Sequence, residues 1–210
     1  MISTDSWYIW TDFGGVLTPP IADSFSVFCI KLGLDRTELS QAMRQVAQDH
    51  CVADPLELLD RPILSEAEWI SEINRYLTRK MSLTTLADDW FDQRVPNESW
   101  VDVLRDLRTP TVRVGMLSNM VPAWDRHWRK MVAPDELFEH VVLSFEVGFR
   151  KPEPEMFNVA ASCAGVSADR CILVDDLESN CDGARREGWK AIHFQDAAAA
   201  KSELLQILGG

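Results

Sequence analysis

An α/β fold is what this sequence predicts: a parallel sheet with helices on both faces, interrupted by an inserted helical block. Three observations carry that expectation. A short apolar, aromatic run, Trp7-Tyr8-Ile9-Trp10-Thr11, stops at Asp12-Phe13-Gly14-Gly15 and stands alone. A long stretch of helical pattern then fills residues 21–107. Beyond Pro110, apolar β-branched runs alternate with helical patterns, which implies βαβ units covered on both sides.

The first run reads as a buried strand ended by a glycine turn. Inside the helical block, Asp35-Arg36-Thr37-Glu38 and Ser65-Glu66-Ala67-Glu68 each fit a capping box that opens a helix. Pro55, Pro62 and Pro96 punctuate the block, and period and breakers together give about five helices. Thr111–Leu117 is the second strand and runs into Ser118-Asn119. Val141–Leu143 is the third, ending at Ser144; Cys171–Val174 runs straight into Asp175-Asp176; Lys190–Phe194 is the last. Helical patterns occupy Ala123–Val132, Glu153–Ala164, Ser179–Glu187 and Ala197–Leu208. The expected organisation is therefore a discontinuous Rossmann-like core, residues 1–17 plus 97–210, around a helical insertion at residues 18–96. No internal repeat is present.

Composition narrows the functional classes. The 210 residues are 46% hydrophobic and 26% charged, ordinary for a globular chain. No apolar run reaches the roughly 20 residues of a membrane helix. The start, MISTDSWYIW, lacks the basic and apolar regions of a secretory signal. A formal net charge of −12 disfavours nucleic acid and other polyanions as partners, while leaving room for a small anionic ligand at one local site. Five cysteines form no CxxC pair, so neither zinc nor a disulfide framework is expected; they read as small buried residues in a reducing cytoplasm. In that compartment the Asn97-Glu98-Ser99 sequon has no meaning.

The chemistry sits where apolar runs end. In open α/β sheets, ligands bind outside the carboxyl ends of the strands. Asp12 ends the first run, Ser118-Asn119 the second, Asp175-Asp176 a later one, and the turn Gly148–Pro154 brings Arg150 and Lys151. A lone Asp after a strand usually marks only a turn; three polar clusters at strand ends in one small domain are harder to dismiss. Gathered together, Asp12, Asp175 and Asp176 cannot all stay ionised without a cation. Oxygen ligands without His or Cys select Mg²⁺. Lys151 and the Ser118 hydroxyl can hold further phosphate oxygens, and Gly14-Gly15 bare the backbone for close approach of a ligand. An Asp carboxylate is a competent nucleophile for phosphoryl transfer.

These residues resemble the haloacid dehalogenase-like (HAD) hydrolases, subgroup I with a helical C1-type cap, and the resemblance runs along essentially the whole chain. Asp12-Phe13-Gly14-Gly15-Val16-Leu17 after an apolar strand is similar to the first family motif, and Leu117-Ser118-Asn119 to the second. Arg150-Lys151-Pro152-Glu153-Pro154 with Phe157 is similar to the third, and Val174-Asp175-Asp176-Leu177-Glu178-Ser179-Asn180 followed by Gly183-Ala184 to the fourth. The resemblance implies Asp12 as nucleophile, Lys151 as balancing cation, Ser118 as phosphate ligand, and a substrate site that includes Asn119, Gly15 and Arg150. It implies Mg²⁺ held by Asp12, the Gly14 backbone carbonyl and the Asp175-Asp176 pair, Asp176 ahead of Asp175. The implied activity is hydrolysis of a small phosphorylated metabolite.

One departure stands out. Family phosphatases usually carry a second Asp two residues after the nucleophile, as general acid and base, and here that position is Gly14. The alternative reading is therefore a scaffold that binds a ligand or partner with little or no turnover. Dehalogenation is a second alternative, against which the Asp175-Asp176 pair argues, because the dehalogenases of the family need no metal. Lys31 and Lys80 read as surface lysines, not Schiff-base formers. His50 reads as a helix C-terminal cation before a substitute acid. Trp124 and Trp128, four apart, read as one helix face packed on the core.

Overall fold

The computed structural model describes residues 6–92 and 94–209, so the first five residues of the segment read above for a secretory signal lie outside the described residues. Five strands form one parallel sheet in the order β3-β2-β1-β4-β5. They are β1 Trp7–Thr11, β2 Val112–Ser118, β3 His140–Leu143, β4 Cys171–Asp175 and β5 Lys190–His193. The helices are α1 Ile21–Leu32, α2 Arg36–Asp49, α3 Glu57–Asp60, α4 Glu66–Tyr76, α5 Ala87–Phe91, α6 Glu98–Leu107, α7 Asp125–Val132, α8 Pro134–Leu137, α9 Ser144–Val147, α10 Pro154–Ala164, α11 Glu178–Arg186 and α12 Ala197–Gly209. The expected α/β fold is what the chain adopts. None of these helices is long and apolar enough to cross a membrane.

The sheet owes its double cover to alternation along β1. Tyr8 and Trp10 pack with Met156, Phe157 and Ala160 of α10 and Ala184 of α11 on one face. The opposite face carries Thr11, whose hydroxyl accepts the Trp100 indole N–H of α6 at 3.0 Å. Trp100 in turn meets Phe194 edge-on, with ring centroids 5.3 Å apart. Gly115, in the middle of β2, lies against the Tyr8 and Trp10 rings. A Cβ there would lie 2.8 Å from Trp10, Tyr8 and the His140 carbonyl. Gly115→Ala is therefore expected to cost about 1–3 kcal/mol by overpacking, read as a lower urea midpoint at unchanged slope.

The chain forms two compact units, one of residues 1–20, 95–119 and 131–210 and one of residues 21–94 and 120–130. The second unit is helical and closes around Phe28, Leu39, Val46, Leu58, Trp69 and Ile73. It also takes up residues 120–130, which the sequence pattern assigns to the core. Trp124 shows why: it stacks on Trp90 with centroids 5.3 Å apart and donates its indole N–H to buried Glu66 at 2.7 Å. Trp124 and Trp128 are both packed on apolar core, Trp128 fully buried, but they do not share one helix face. Trp124 lies in the short 3₁₀ turn Pro122–Trp124, before α7 begins.

The two capping boxes differ. At Ser65 both halves form, the hydroxyl accepting from the Glu68 N–H and the Glu68 carboxylate from the Ser65 N–H. At Asp35 the side chain accepts from the Glu38 N–H at 2.8 Å, but Glu38 reaches instead for the Thr78 N–H at 2.6 Å. Cys29, Cys171 and Cys181 are buried as expected, whereas Cys51 and Cys163 are exposed, and all five are free thiols.

Candidate active site at the carboxyl edge of the sheet

The strand order places β1 between β2 and β4, where the sheet's connections change direction, and strand ends meet in a crevice at such a point. Parallel register brings the ends level: Thr11 pairs with Met116 on one side and Val174 on the other. Asp12 follows directly, its N–H donating to the Val174 carbonyl at 2.9 Å. Ser118 ends β2 and Asp175 ends β4. A ligand oxygen from each of Asp12, Asp175 and Asp176 falls within 4.8 Å of the others.

Lys151 enters this group from the turn before α10. Its side chain is 1% exposed, and its ammonium lies 2.8 Å from Asp12 Oδ1 and 2.5 Å from Asp175 Oδ2. Burial alone would lower its pKa, but the two carboxylates outweigh burial and hold the ammonium charged, above its ordinary range. Asn119 fixes the lysine's backbone from both sides. Its Oδ1 accepts the Lys151 N–H at 2.8 Å and its Nδ2 donates to the Lys151 carbonyl at 3.0 Å. The Asn119 amide, expected to bind substrate, is thus taken up in positioning Lys151. Arg150 is buried next to it in the chain, with its backbone N–H held by Glu153 Oε2 at 3.1 Å.

The three carboxylates are not equivalent. Asp175 is the best supported: Oδ1 accepts the Leu177 N–H and the Asn180 amide, both at 2.9 Å, and Oδ2 takes Lys151. Asp12 is raised by burial, pulled down by Lys151, and raised again by Asp175; a hydrogen bond with Ser118 also lowers it. Asp176 has the least support. Its Oδ1 is buried with no hydrogen-bond partner, and burial, Asp12 and Asp175 push its pKa up to about 7. Gly15, at φ +80°, lies so close that a Cβ would collide with the Asp176 carboxylate. Only glycine meets both demands.

An orphaned carboxylate oxygen beside two more carboxylates, with an all-oxygen donor set, fits a hard divalent cation. Asp176 Oδ1 accepts no hydrogen bond, whereas Asp175 already accepts three. Gly14 sits in the turn Phe13–Leu17 with φ −73° and ψ 123°. Among the residues weighed in sequence as rivals, His50 pairs with Glu72 at 2.8 Å, and Lys31 with Asp89 and Asp92 at 2.9 and 2.6 Å. The sequence pattern does not reveal His193 and gives Asn180 no role. Asn180 could have been suspected from its place five residues after Asp175 on a helix start; His193 left no signal.

A family model described as haloacid dehalogenase-like hydrolase matches residues 9–188. The chain is 33% identical over 115 residues to a sesquiterpene phosphatase of Aspergillus oryzae, covering 54% of this chain and 58% of that protein. It is 34% identical over 96 residues to a glyceraldehyde 3-phosphate phosphatase of Pyrococcus abyssi, covering 44% and 40%. The chain thus spans between two-fifths and three-fifths of the length of these relatives. A HAD family enzyme of Bacteroides thetaiotaomicron, crystallised with magnesium and inorganic phosphate, shares the fold with a TM-score of 0.65 at 22% identity, over 93% of this chain and 98% of that one.

Proposed function

The chain belongs to the haloacid dehalogenase-like hydrolases, and from that premise we propose that it is a Mg²⁺-dependent phosphatase of small phosphomonoesters. The observation that carries the reading is the buried Asp12 carboxylate at the tip of β1, 2.8 Å from the Lys151 ammonium and beside the unpartnered oxygen of Asp176. The names of the two relatives, both phosphatases, support it.

In this reading Asp12 attacks phosphorus, forming an O–P bond to the carboxylate while the ester O–P bond breaks and the alcohol leaves. Water then cleaves the aspartyl-phosphate, so that ester and water give alcohol and inorganic phosphate, and Asp12 is restored. Lys151 opposes the rise in Asp12's pKa and offsets the charge that would repel a phosphate dianion. In this reading the Ser118 hydroxyl holds a phosphoryl oxygen. Bound Mg²⁺, held by Asp12, Asp176 and the Gly14 carbonyl, would supply charge neutralisation at the transferring group. The helical block at residues 18–96 is, in this proposal, the cap that selects the substrate. A screen of phosphorylated metabolites with and without Mg²⁺, with Asp12→Asn as blank, tests the whole. Binding without turnover by any compound would favour the scaffold reading instead.

Gly14 sets a more specific expectation. Without an acid two residues after the nucleophile, an alkoxide of high pKa leaves slowly, whereas an aryl or acyl leaving group needs little protonation. The rate is expected to fall steeply as leaving-group pKa rises. The Gly14 backbone lies where any L-residue sits without strain. Gly14→Asp should therefore be free of backbone strain and flatten the dependence, raising alkyl phosphate hydrolysis by roughly 10²-fold or more, the scale of one general acid. Equal rates on aryl and alkyl phosphates in the unmodified protein would show that another group already donates the proton.

A further inference from the structure

Beyond the carboxylates themselves, the last strand holds the loop that carries Asp176. At the end of β5 the register pairs His193 with Asp175. From there two consecutive residues grip two consecutive carbonyls: the Phe194 N–H donates to the Asp175 carbonyl at 2.9 Å, and His193 Nε2 lies 2.9 Å from the Asp176 carbonyl. A carbonyl oxygen only accepts, so Nε2 is the donor in this contact. The other ring nitrogen, Nδ1, lies 2.9 Å from Glu178 Oε2, on the first turn of α11. His193 therefore ties the Asp176 peptide to β5, while its Nδ1 contact with Glu178 is an ion pair only when the ring is protonated. The Asp176 carboxylate itself has no hydrogen bond at Oδ1 to fix its direction, so its aim rests on its backbone and on the contact with Gly15.

We propose that His193 is a positioning residue for the divalent cation, setting the direction of Asp176 through its backbone carbonyl. The proposal rests on the assignment of Asp176 as a metal ligand. Its physical basis is general: partners outside the ligand shell orient the ligands, and their loss typically costs roughly 10–100-fold in metal affinity. The bond to the Asp176 carbonyl, not the one to Glu178, is the part that matters for the metal.

The two ring nitrogens can be separated by substitution, because a Gln amide reaches the position of Nε2 and an Asn amide that of Nδ1. Mg²⁺ affinity is to be measured by calorimetric titration of the substrate-free protein for the unmodified chain and for His193→Gln, His193→Asn and His193→Ala, with metal-free melting of each. His193→Gln should bind Mg²⁺ within about threefold of the unmodified protein. His193→Asn should bind roughly 10-fold or more weakly, at a similar metal-free melting temperature. In turnover, the same loss should appear as a raised half-saturating Mg²⁺ concentration, with kcat recovered at high Mg²⁺. Equal affinities for His193→Gln and His193→Asn would overturn the proposal, even if His193→Ala fails to fold. Mg²⁺ binding with no phosphatase activity in the unmodified protein would sink the proposed function but leave the affinity comparison to decide on His193. No Mg²⁺ binding by the unmodified protein would overturn both.

Discussion

Replacing Lys151 with methionine is expected to destabilise the protein by about 3–5 kcal/mol, the cost of breaking a buried ion pair from one side. The substitution nearly conserves volume, so the effect isolates charge. Lys151 is 1% exposed and meets Asp12 and Asp175 at 2.8 and 2.5 Å, and Asp175 is itself fully buried. Without the ammonium, the three carboxylates lose the cation that contacts two of them. The hydrogen bonds to Asp175 from Leu177 and Asn180 remain, which keeps that group acceptor-satisfied but uncompensated in charge. At about 2–4 °C per kcal/mol for a chain of this size, the melting midpoint should fall by roughly 6–20 °C. Added Mg²⁺ should recover part of the loss. A midpoint within about 2 °C of the unmodified protein would mean that the carboxylates take up protons at little cost and that Lys151 does not hold the cluster together.

The carboxylates and the lysine were readable in the sequence because each follows an apolar run or a rigid turn. Parallel strands with such ends bring them to one edge whatever the details of packing. Side-chain direction is what the pattern does not carry. Asn119 looked like a substrate ligand because it follows Ser118, yet its amide turns back onto the Lys151 backbone. Glu38 looked like the second half of a capping box, but the Thr78 N–H, distant in sequence, competes for it and wins. Residues 120–130 follow a core strand, so the pattern assigns them to the core. The indole of Trp124 packs instead with Trp90 and Glu66 of the helical unit. His193 was invisible for the same reason: a polar residue at the end of an edge strand is unremarkable until the register sets it opposite Asp175. Cys51 and Cys163 show the converse, since cysteine's general preference for burial does not decide any single position.

Asp12→Asn should abolish turnover and leave the fold at least as stable. The amide keeps the size and shape of the side chain but does not attack phosphorus, so the covalent route closes; losses on the order of 10⁴-fold or more are usual when a nucleophile is removed. The fold has little reason to object. Asp12 is one of a group of three carboxylates, and burial with Asp175 raises its pKa even though Lys151 opposes the rise. Removing its charge relieves repulsion, while Lys151 keeps Asp175 as partner at 2.5 Å. The backbone bond from Asp12 to the Val174 carbonyl does not involve the side chain and survives. A melting temperature equal to or above that of the unmodified protein, together with lost activity, is thus the expected pair of results. Asp12→Glu makes the complementary test, because it keeps the carboxylate but advances it by one methylene into a site closed by Lys151. Misplacement by about 1 Å costs on the order of 10²-fold, so this variant should also be nearly inactive, although its carboxylate is still there to ionise. If Asp12→Asn retained activity within about tenfold of the unmodified protein, the nucleophile would have to be another group, and the tip of β1 would not be where phosphorus is attacked.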